Sequence, residues 1–210
     1  MAIASLSRFT VPLATNQSSP SQGLLMPKLS YRFRVTLDNF GVAGAASTEL
    51  TKQVISVGRP IVKFEQIKLS VYNSTVKLAG KHSFESIKLS IRDDVTNSVS
   101  KKVGEQMQKQ FDFYEQSSAA SGIDYKFTAR VELLDGGNGA YAPGVLEIFE
   151  LNGCYIDSAT YKDVSYSATS DALTVDLSIA FDNALQVDAA GNRTGLGVNI
   201  GRTVRSLALG

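Results

Sequence analysis

Two stretches of strict alternation constrain this chain more than anything else in it. Leu173, Val175, Leu177, Ile179 and Phe181 interleave with Thr174, Asp176, Ser178, Ala180 and Asp182, and Leu29, Tyr31, Phe33, Val35 and Leu37 interleave with Ser30, Arg32, Arg34 and Thr36. A period of two is the pattern of a half-buried strand, because successive side chains leave the backbone on opposite faces. Tyr125, Phe127, Ala129, Val131 and Leu133 repeat it. Further strands are expected over Lys52 to Val57, stopped by Gly58-Arg59-Pro60, then over Ile61 to Tyr72 with Ile61, Ile67, Leu69 and Val71 on one side. Asn73-Ser74 supplies turn chemistry before Thr75 to Ala79, which makes that pair a hairpin. Phe84 to Ile91, Val145 to Leu151 and Cys154 to Ile156 complete the set.

One segment changes period. Val95, Val99, Val103, Met107, Phe111 and Tyr114 recur at intervals of four and then three, the spacing of one helical face. A helix is expected within residues 95 to 116, capped by Asp94 and packing Val99, Val103, Met107 and Phe111 against a sheet. Many short strands with no helices between them point to a mainly β chain, an antiparallel β-sandwich or barrel with one flanking α-helix. The expected organisation is an N-terminal arm over 1–24, a β-sandwich domain over 25–184 and a Gly-rich tail over 185–210, because the polar stretch Asn16 to Gly23 offers little to bury and residues 184 to 210 hold five Gly.

Composition narrows the function classes. Hydrophobic residues make up 43% and charged residues 20%, which is globular, and 21 Lys+Arg against 20 Asp+Glu leave a net charge of +1. Such balance disfavours tight nucleic-acid binding, which needs a basic excess. The single Cys154 makes an intrachain disulfide impossible, and its apolar strand context reads as a small buried side chain. No uninterrupted apolar run is long enough for a membrane-spanning helix, and Met1 to Thr15 lacks the apolar core of a secretory leader.

No reaction chemistry is legible. Ala79-Gly80-Lys81-His82 fails as a phosphate-binding loop, since Thr75 stands where a glycine is needed and His82 where a hydroxyl is needed. His82 is the only histidine, so a metal site or catalytic dyad would need its other members from carboxylates or Cys154. Asp93-Asp94 precede a helix, where capping and the dipole account for them, and Gly136-Gly137-Asn138-Gly139 has no following helix to cradle a phosphate. The expectation is no catalytic residue, no metal and no cofactor. A carbohydrate- or peptide-binding β-sandwich is the alternative from another class, although the chain has no Trp and its aromatics fall largely on alternating core positions.

The segment Ser74 to Asp94 resembles tail tube proteins of contractile-tailed bacteriophages: a strand ending in Ala79-Gly80, a short polar stretch, Phe84, then a strand closed by Asp93-Asp94 before a helix. Phe149-Glu150-Leu151-Asn152-Gly153-Cys154-Tyr155-Ile156 followed by Leu173 to Asp182 is similar to that family's final strand pair, and the match of order and spacing covers about residues 26 to 184. The resemblance implies hexameric rings, stacked helically into a tube inside a contractile sheath, whose lumen is the conduit for DNA ejection. It implies as partners the chain itself, the sheath protein, baseplate and tube terminator proteins, and a tape measure protein and passing DNA held without specific binding. The implied place is the virion tail, assembled in the host cytoplasm. Tube proteins of pyocin or secretion particles are related to the same family and satisfy the same pattern. Because the family's inner sheet lines its channel, Thr174, Asp176, Ser178 and Asp182, which face away from the core, are the implied lumen-facing residues.

Overall fold

The computed structural model describes residues 5–10, 23–25, 27–42, 48–137, 143–167 and 170–199, of which 5–10 and 23–25 are described at the level of the backbone. Residues 1–32 and 33–210 are separate compact units. In the first, β1 (Ser5–Thr10) and β2 (Gly23–Leu25) pair antiparallel, so part of the expected arm forms a short ribbon. The expected strand from Leu29 starts later than its alternation: Arg32 N–H donates to Leu29 O at 3.2 Å in a turn, and Tyr31 is exposed.

The second unit holds β3 (Phe33–Asp38), α1 (Thr48–Gln53), β4 (Val54–Val57), β5 (Val62–Val71), β6 (Ser74–Phe84), β7 (Ile87–Arg92) and α2 (Ser98–Gln110). There follow the two-residue strands β8 (Phe111–Asp112) and β9 (Ser117–Ser118), a short 3-10 turn (Gly122–Asp124), and β10 (Phe127–Leu134), β11 (Val145–Tyr161), β12 (Thr174–Ala180) and β13 (Asn183–Val187). Every ladder is antiparallel, and the main sheet runs β3-β10-β11-β12-β7-β4 with β13 added to β11.

The 17-residue β11 organises that sheet. Its first half lies between β10 and β13, and its second half, from Tyr155, pairs with β12. Sequence reasoning expected two strands with a break at Asn152-Gly153; instead the strand continues and bends there, because Gly153 adopts φ +71°, open to glycine at little cost. The free edge of the second half is closed by a side chain: the Gln110 amide donates to Ile156 O at 2.9 Å and accepts from Ile156 N at 2.9 Å. A carboxamide presents the same donor and acceptor as a neighbouring backbone, so the end of α2 serves the edge as one residue of strand.

Buried Val35, Leu37, Phe127, Ala129, Leu151, Cys154, Ile87, Leu89, Ile91, Val175, Leu177 and Ile179 form one core with Val99 and Val103 of α2, Phe40 and Leu50. These are the inward members of the alternating stretches. The helix departs from its expected limits at both ends. Asn97, with φ 57°, is its N-cap and Val95 is fully exposed, yet Asp94 still accepts the Ser98 N–H at 2.8 Å. At the other end Phe111 turns to extended backbone, opens β8 and is 38% exposed. The expected stripe therefore keeps Val99 and Val103, holds Met107 partly buried against the core, and leaves Phe111 out. Gln106, on the same side, is completely buried, satisfied by accepting from Gly41 N at 2.9 Å and donating to Tyr125 O at 2.6 Å. Residues Lys52-Gln53, expected in a strand, end the short helix α1.

Past residue 184 the ladder continues through β13, and the chain folds back on it: Thr194 N–H donates to Gln186 O at 2.7 Å and Gln186 N–H to Leu196 O at 2.9 Å. The tips of the loops at 43–47 and 138–142, and residues 200–210, lie outside the described residues.

Candidate assembly surfaces

The hairpin β5–β6 is the feature for which a monomer has no use. It leaves β4 through Gly58-Arg59-Pro60 and returns into β7, and both its faces are exposed along almost its whole length. Its two-residue turn has Tyr72 at φ 49°, the left-handed conformation that matches the twist of a tight hairpin. Register sets its faces. Ile67 lies opposite Leu78 and Leu69 opposite Val76, which with Val71 make one apolar face near the tip. These five side chains are 47 to 55% exposed, far more apolar surface than an isolated ribbon can justify. On the reverse face Lys68 lies directly opposite Lys77, and Ser70 opposite Thr75.

An extra residue in β6, across from Glu65, shifts the register between tip and base. Gly80 sits there, where a Cβ would come 3.1 Å from Glu65 O. Past the bulge the base is aromatic and anchored: His82 packs on Phe64 and Phe84 at 6.3 and 5.5 Å between ring centroids, and Phe84 meets Phe181 at 5.2 Å. His82 is accounted for by these contacts. Beside the base, the Arg59 guanidinium lies 5.0 Å over the Phe149 ring and 3.7 Å from the Glu147 carboxylate.

The outer face of β12 is the second surface. Thr174 and Ser178 are half-buried and Asp176 exposed, all opposite in sense to buried Val175, Leu177 and Ile179. Register extends this face across four strands: Ser56 lies against Ser90, Ser90 against Asp176, and Asp176 against Thr160. Ser90 Oγ donates to Asp176 Oδ1 at 2.5 Å, and Ser178 Oγ to Asp157 Oδ2 at 3.5 Å. The result is a row of small hydroxyls and carboxylates flanked on β7 by exposed Lys88, opposite Ser178, and Arg92, opposite Thr174. Asp182 stands apart from it, beyond the end of β12, where Lys126 Nζ approaches to 2.5 Å and the Lys126 pKa is raised chiefly by that bond. Leu173, expected inward, precedes the strand and is exposed, its carbonyl accepting from Asp93 N at 2.9 Å.

The outermost strands β3 and β4 each have a single ladder partner among the described residues, so each leaves one row of backbone donors and acceptors open.

The groups that might have carried chemistry are occupied structurally. Ser98 donates through its hydroxyl to Asp94 Oδ2 at 2.7 Å, the first of the contacts that lower the Asp94 pKa, and the Ser100 hydroxyl donates to Asp93. Asp135 gathers the base of the glycine loop, accepting from Gly137 N at 3.1 Å and Gly144 N at 2.8 Å. Among the described residues no three His, Cys, Asp or Glu side chains converge as a metal would require, and no helix is long and apolar enough to cross a membrane.

Cys154 is fully buried, its thiol directed at Leu151 O at 3.3 Å, and burial pushes its pKa up to about 12. Since only the thiolate is reactive, an aromatic disulfide reagent at neutral pH should leave Cys154 unmodified in the native protein and label it fully in denaturant. The folded pKa lies above that of the unfolded thiol, so the stabilisation is complete below about pH 8.5 and is lost as pH rises toward 12. Denaturant melts at a series of pH values should show stability falling across that window, and a Cys154→Ala chain should lose this part of the slope.

Sequence reasoning read the hairpin but missed its length, its protrusion and the Lys68–Lys77 pairing; the lysines were legible in the alternation once the turn was placed at Tyr72-Asn73. Gln106 and Gln110 carry no local signal, because a buried amide is defined by partners far away in sequence.

No protein-family model matches the chain, and no curated protein sequence does. Solved structures do match. A chain of the tube-terminating cap of the anti-feeding prophage is 13% identical with a TM-score of 0.58, covering 85% of this chain and all 100% of that one. Chains from two assemblies of the PVC extracellular contractile injection system, both in the extended state, are also 13% identical over 77% of this chain. The sheath/tube terminator match has a TM-score of 0.55 and covers 96% of its chain; the sheath–tube complex match has 0.53 and covers 92%. The chain therefore shares its fold with chains of the tube-terminating cap, the sheath–tube complex and the sheath/tube terminator of these contractile particles.

Proposed function

We propose that this chain is a non-enzymatic structural subunit that polymerises into the tube of a contractile, phage-like particle. The observation that carries the reading is the β5–β6 hairpin, whose apolar face is exposed in the monomer and is too large to be left in water by a protein that works alone. The shared fold supports it, as do the open edges of β3 and β4, which joining copies around a ring would satisfy. On this reading the subunits form hexameric rings stacked helically within a sheath, capped by terminator and founded on baseplate proteins. The tube is the tail tube of a contractile phage and the conduit for DNA, with a tape measure protein in the lumen before ejection. The particle is the virion tail, built in the host cytoplasm. A tube of a secretion or pyocin-like particle is the second reading, favoured by the injection-system particles to which the structures sharing the fold belong.

The row through Ser90, Asp176 and Thr160 is the proposed lumen wall, together with Thr174 and Ser178, because its centre is hydroxyl and carboxylate, which repel a polyanion weakly, while the exposed Lys88 and Arg92 that flank it on β7 balance that charge rather than make a basic track. The arm (1–24) and the tail (185–210) are assigned to contacts between copies.

The hairpin gives the direct test. Leu69 and Val76 are exposed, so a Leu69→Ser, Val76→Ser chain should keep its thermal midpoint while its association weakens by on the order of a hundredfold, from the lost burial of two aliphatic side chains. Sedimentation velocity reads both states. A doubly substituted chain that polymerises as well as the wild type would remove the hairpin from assembly.

A further inference from the structure

One buried carboxylate touches both the hairpin and the start of the tail. Glu147 of β11 is buried, its Oε2 lies 3.7 Å from the Arg59 guanidinium, and its Oε1 accepts from Gln186 Nε2. Register makes the second contact possible, since Gln186 lies opposite Phe149, one diagonal step from Glu147 across β11 and β13. Because a carboxylate only accepts, Gln186 must turn its amide nitrogen toward Glu147 and its oxygen away. That oxygen accepts from Leu196 N at 3.4 Å. The Gln186 backbone completes the grip on the tail, accepting from Thr194 N at 2.7 Å and donating to Leu196 O at 2.9 Å. Gly195, at φ +63°, passes so close to the Gln186 side-chain oxygen that a Cβ there would collide with it.

At the other end of this line of contacts Arg59 stands at the root of β5–β6. Gly58 N–H still donates to Lys88 O at 2.8 Å, but Pro60 has no N–H with which to continue the ladder. A side chain takes over there. Arg59 lies over Phe149 and beside Glu147, and so ties the entering leg of the hairpin to β11, a strand with which β4 shares no ladder. Glu147, held out of water, depends on both of its partners, because losing either leaves a buried charge poorly compensated.

We infer that Glu147 couples the tail to the root of the hairpin: a tail seated on β13 holds Gln186, Gln186 holds Glu147, and Glu147 holds Arg59. These three are positioning residues, and the coupling is a property of the single subunit. Its use in assembly rests on the tube reading. A subunit whose tail is engaged by one copy presents a firmer hairpin to the next, so growth favours subunits already seated over free ones.

Amide hydrogen exchange, read residue by residue by NMR on the full-length Leu69→Ser, Val76→Ser chain, tests the coupling without polymers. Arg59 is exposed, so adding Arg59→Gln should leave the circular dichroism unchanged. Exchange at Thr194 and Leu196 should nevertheless quicken at least about fivefold, although Arg59 touches neither. Gly195→Ala lifts the tail instead, and should quicken exchange at Gly58 and Glu85, whose N–H groups bond Lys88 O and Ile61 O, by a similar factor, since coupling is reciprocal. Lys101→Gln should move none of these amides. Unchanged exchange at the far element in either variant, or equal changes in the Lys101→Gln chain, would overturn the coupling and leave the tube reading intact. In the otherwise wild-type chain, Arg59→Gln should raise the concentration needed for polymerisation at least about fivefold by sedimentation velocity, and an unchanged threshold would overturn its use in assembly. A wild-type chain that stays monomeric at every concentration would overturn the tube reading and that use with it, while the exchange result would stand.

Discussion

A Val103→Asp chain should fail to fold. Val103 is completely buried on the inward face of α2, within the core that joins the helix to the sheet. A carboxylate there either loses its hydration without a partner or takes up a proton, and either course costs several kcal/mol. Single domains are stable by about 5–15 kcal/mol in total, so the folded population collapses. Circular dichroism should lose the cooperative thermal transition. Lys101→Gln, two residues away on the exposed face, should change stability by less than about 0.5 kcal/mol, which separates loss of the core from loss of helix propensity. A Val103→Asp chain with a wild-type transition would show that α2 does not pack as described.

Gly153→Val should be nearly as damaging, for a backbone reason. At φ +71° a β-branched residue is strained by about 1–3 kcal/mol, and its Cβ would run into the carboxylate of Asp182. Moving Asp182 aside breaks its contact with Lys126, and straightening β11 breaks its ladders with β12 or β13. The bend cannot be kept and relieved together. Chemical denaturation should therefore give a loss exceeding that of Gly153→Ala, which shares the backbone strain but is smaller, and a Gly153→Val chain as stable as wild type would refute the role given to the bend.

Val175, Leu177 and Ile179 are buried where alternation put them, and Val35, Leu37, Phe127 and Ala129 likewise, because a strand between core and solvent has no other way to satisfy a period of two. Phe111 escaped the helical stripe since nothing in a four-residue spacing marks where a helix stops; Gln110, clamped to Ile156, fixes that end through a contact 46 residues away. Gly153 read as a break because glycine weakens strands on average, whereas here it bends one that β10, β12 and β13 hold from both edges. The hairpin alternates as well as any core strand, and that is why its exposure was hidden. Alternation says that two faces differ and is silent on whether the apolar one is covered by its own chain or by another.

If this apolar face is covered by further copies, electron microscopy of concentrated purified wild-type protein should show hollow tubes of stacked rings, with β5–β6 buried between copies and Asp176 turned to the lumen. Polymers in which the hairpin remains in solvent, or a chain that stays monomeric even when seeded with preformed baseplates, would contradict it.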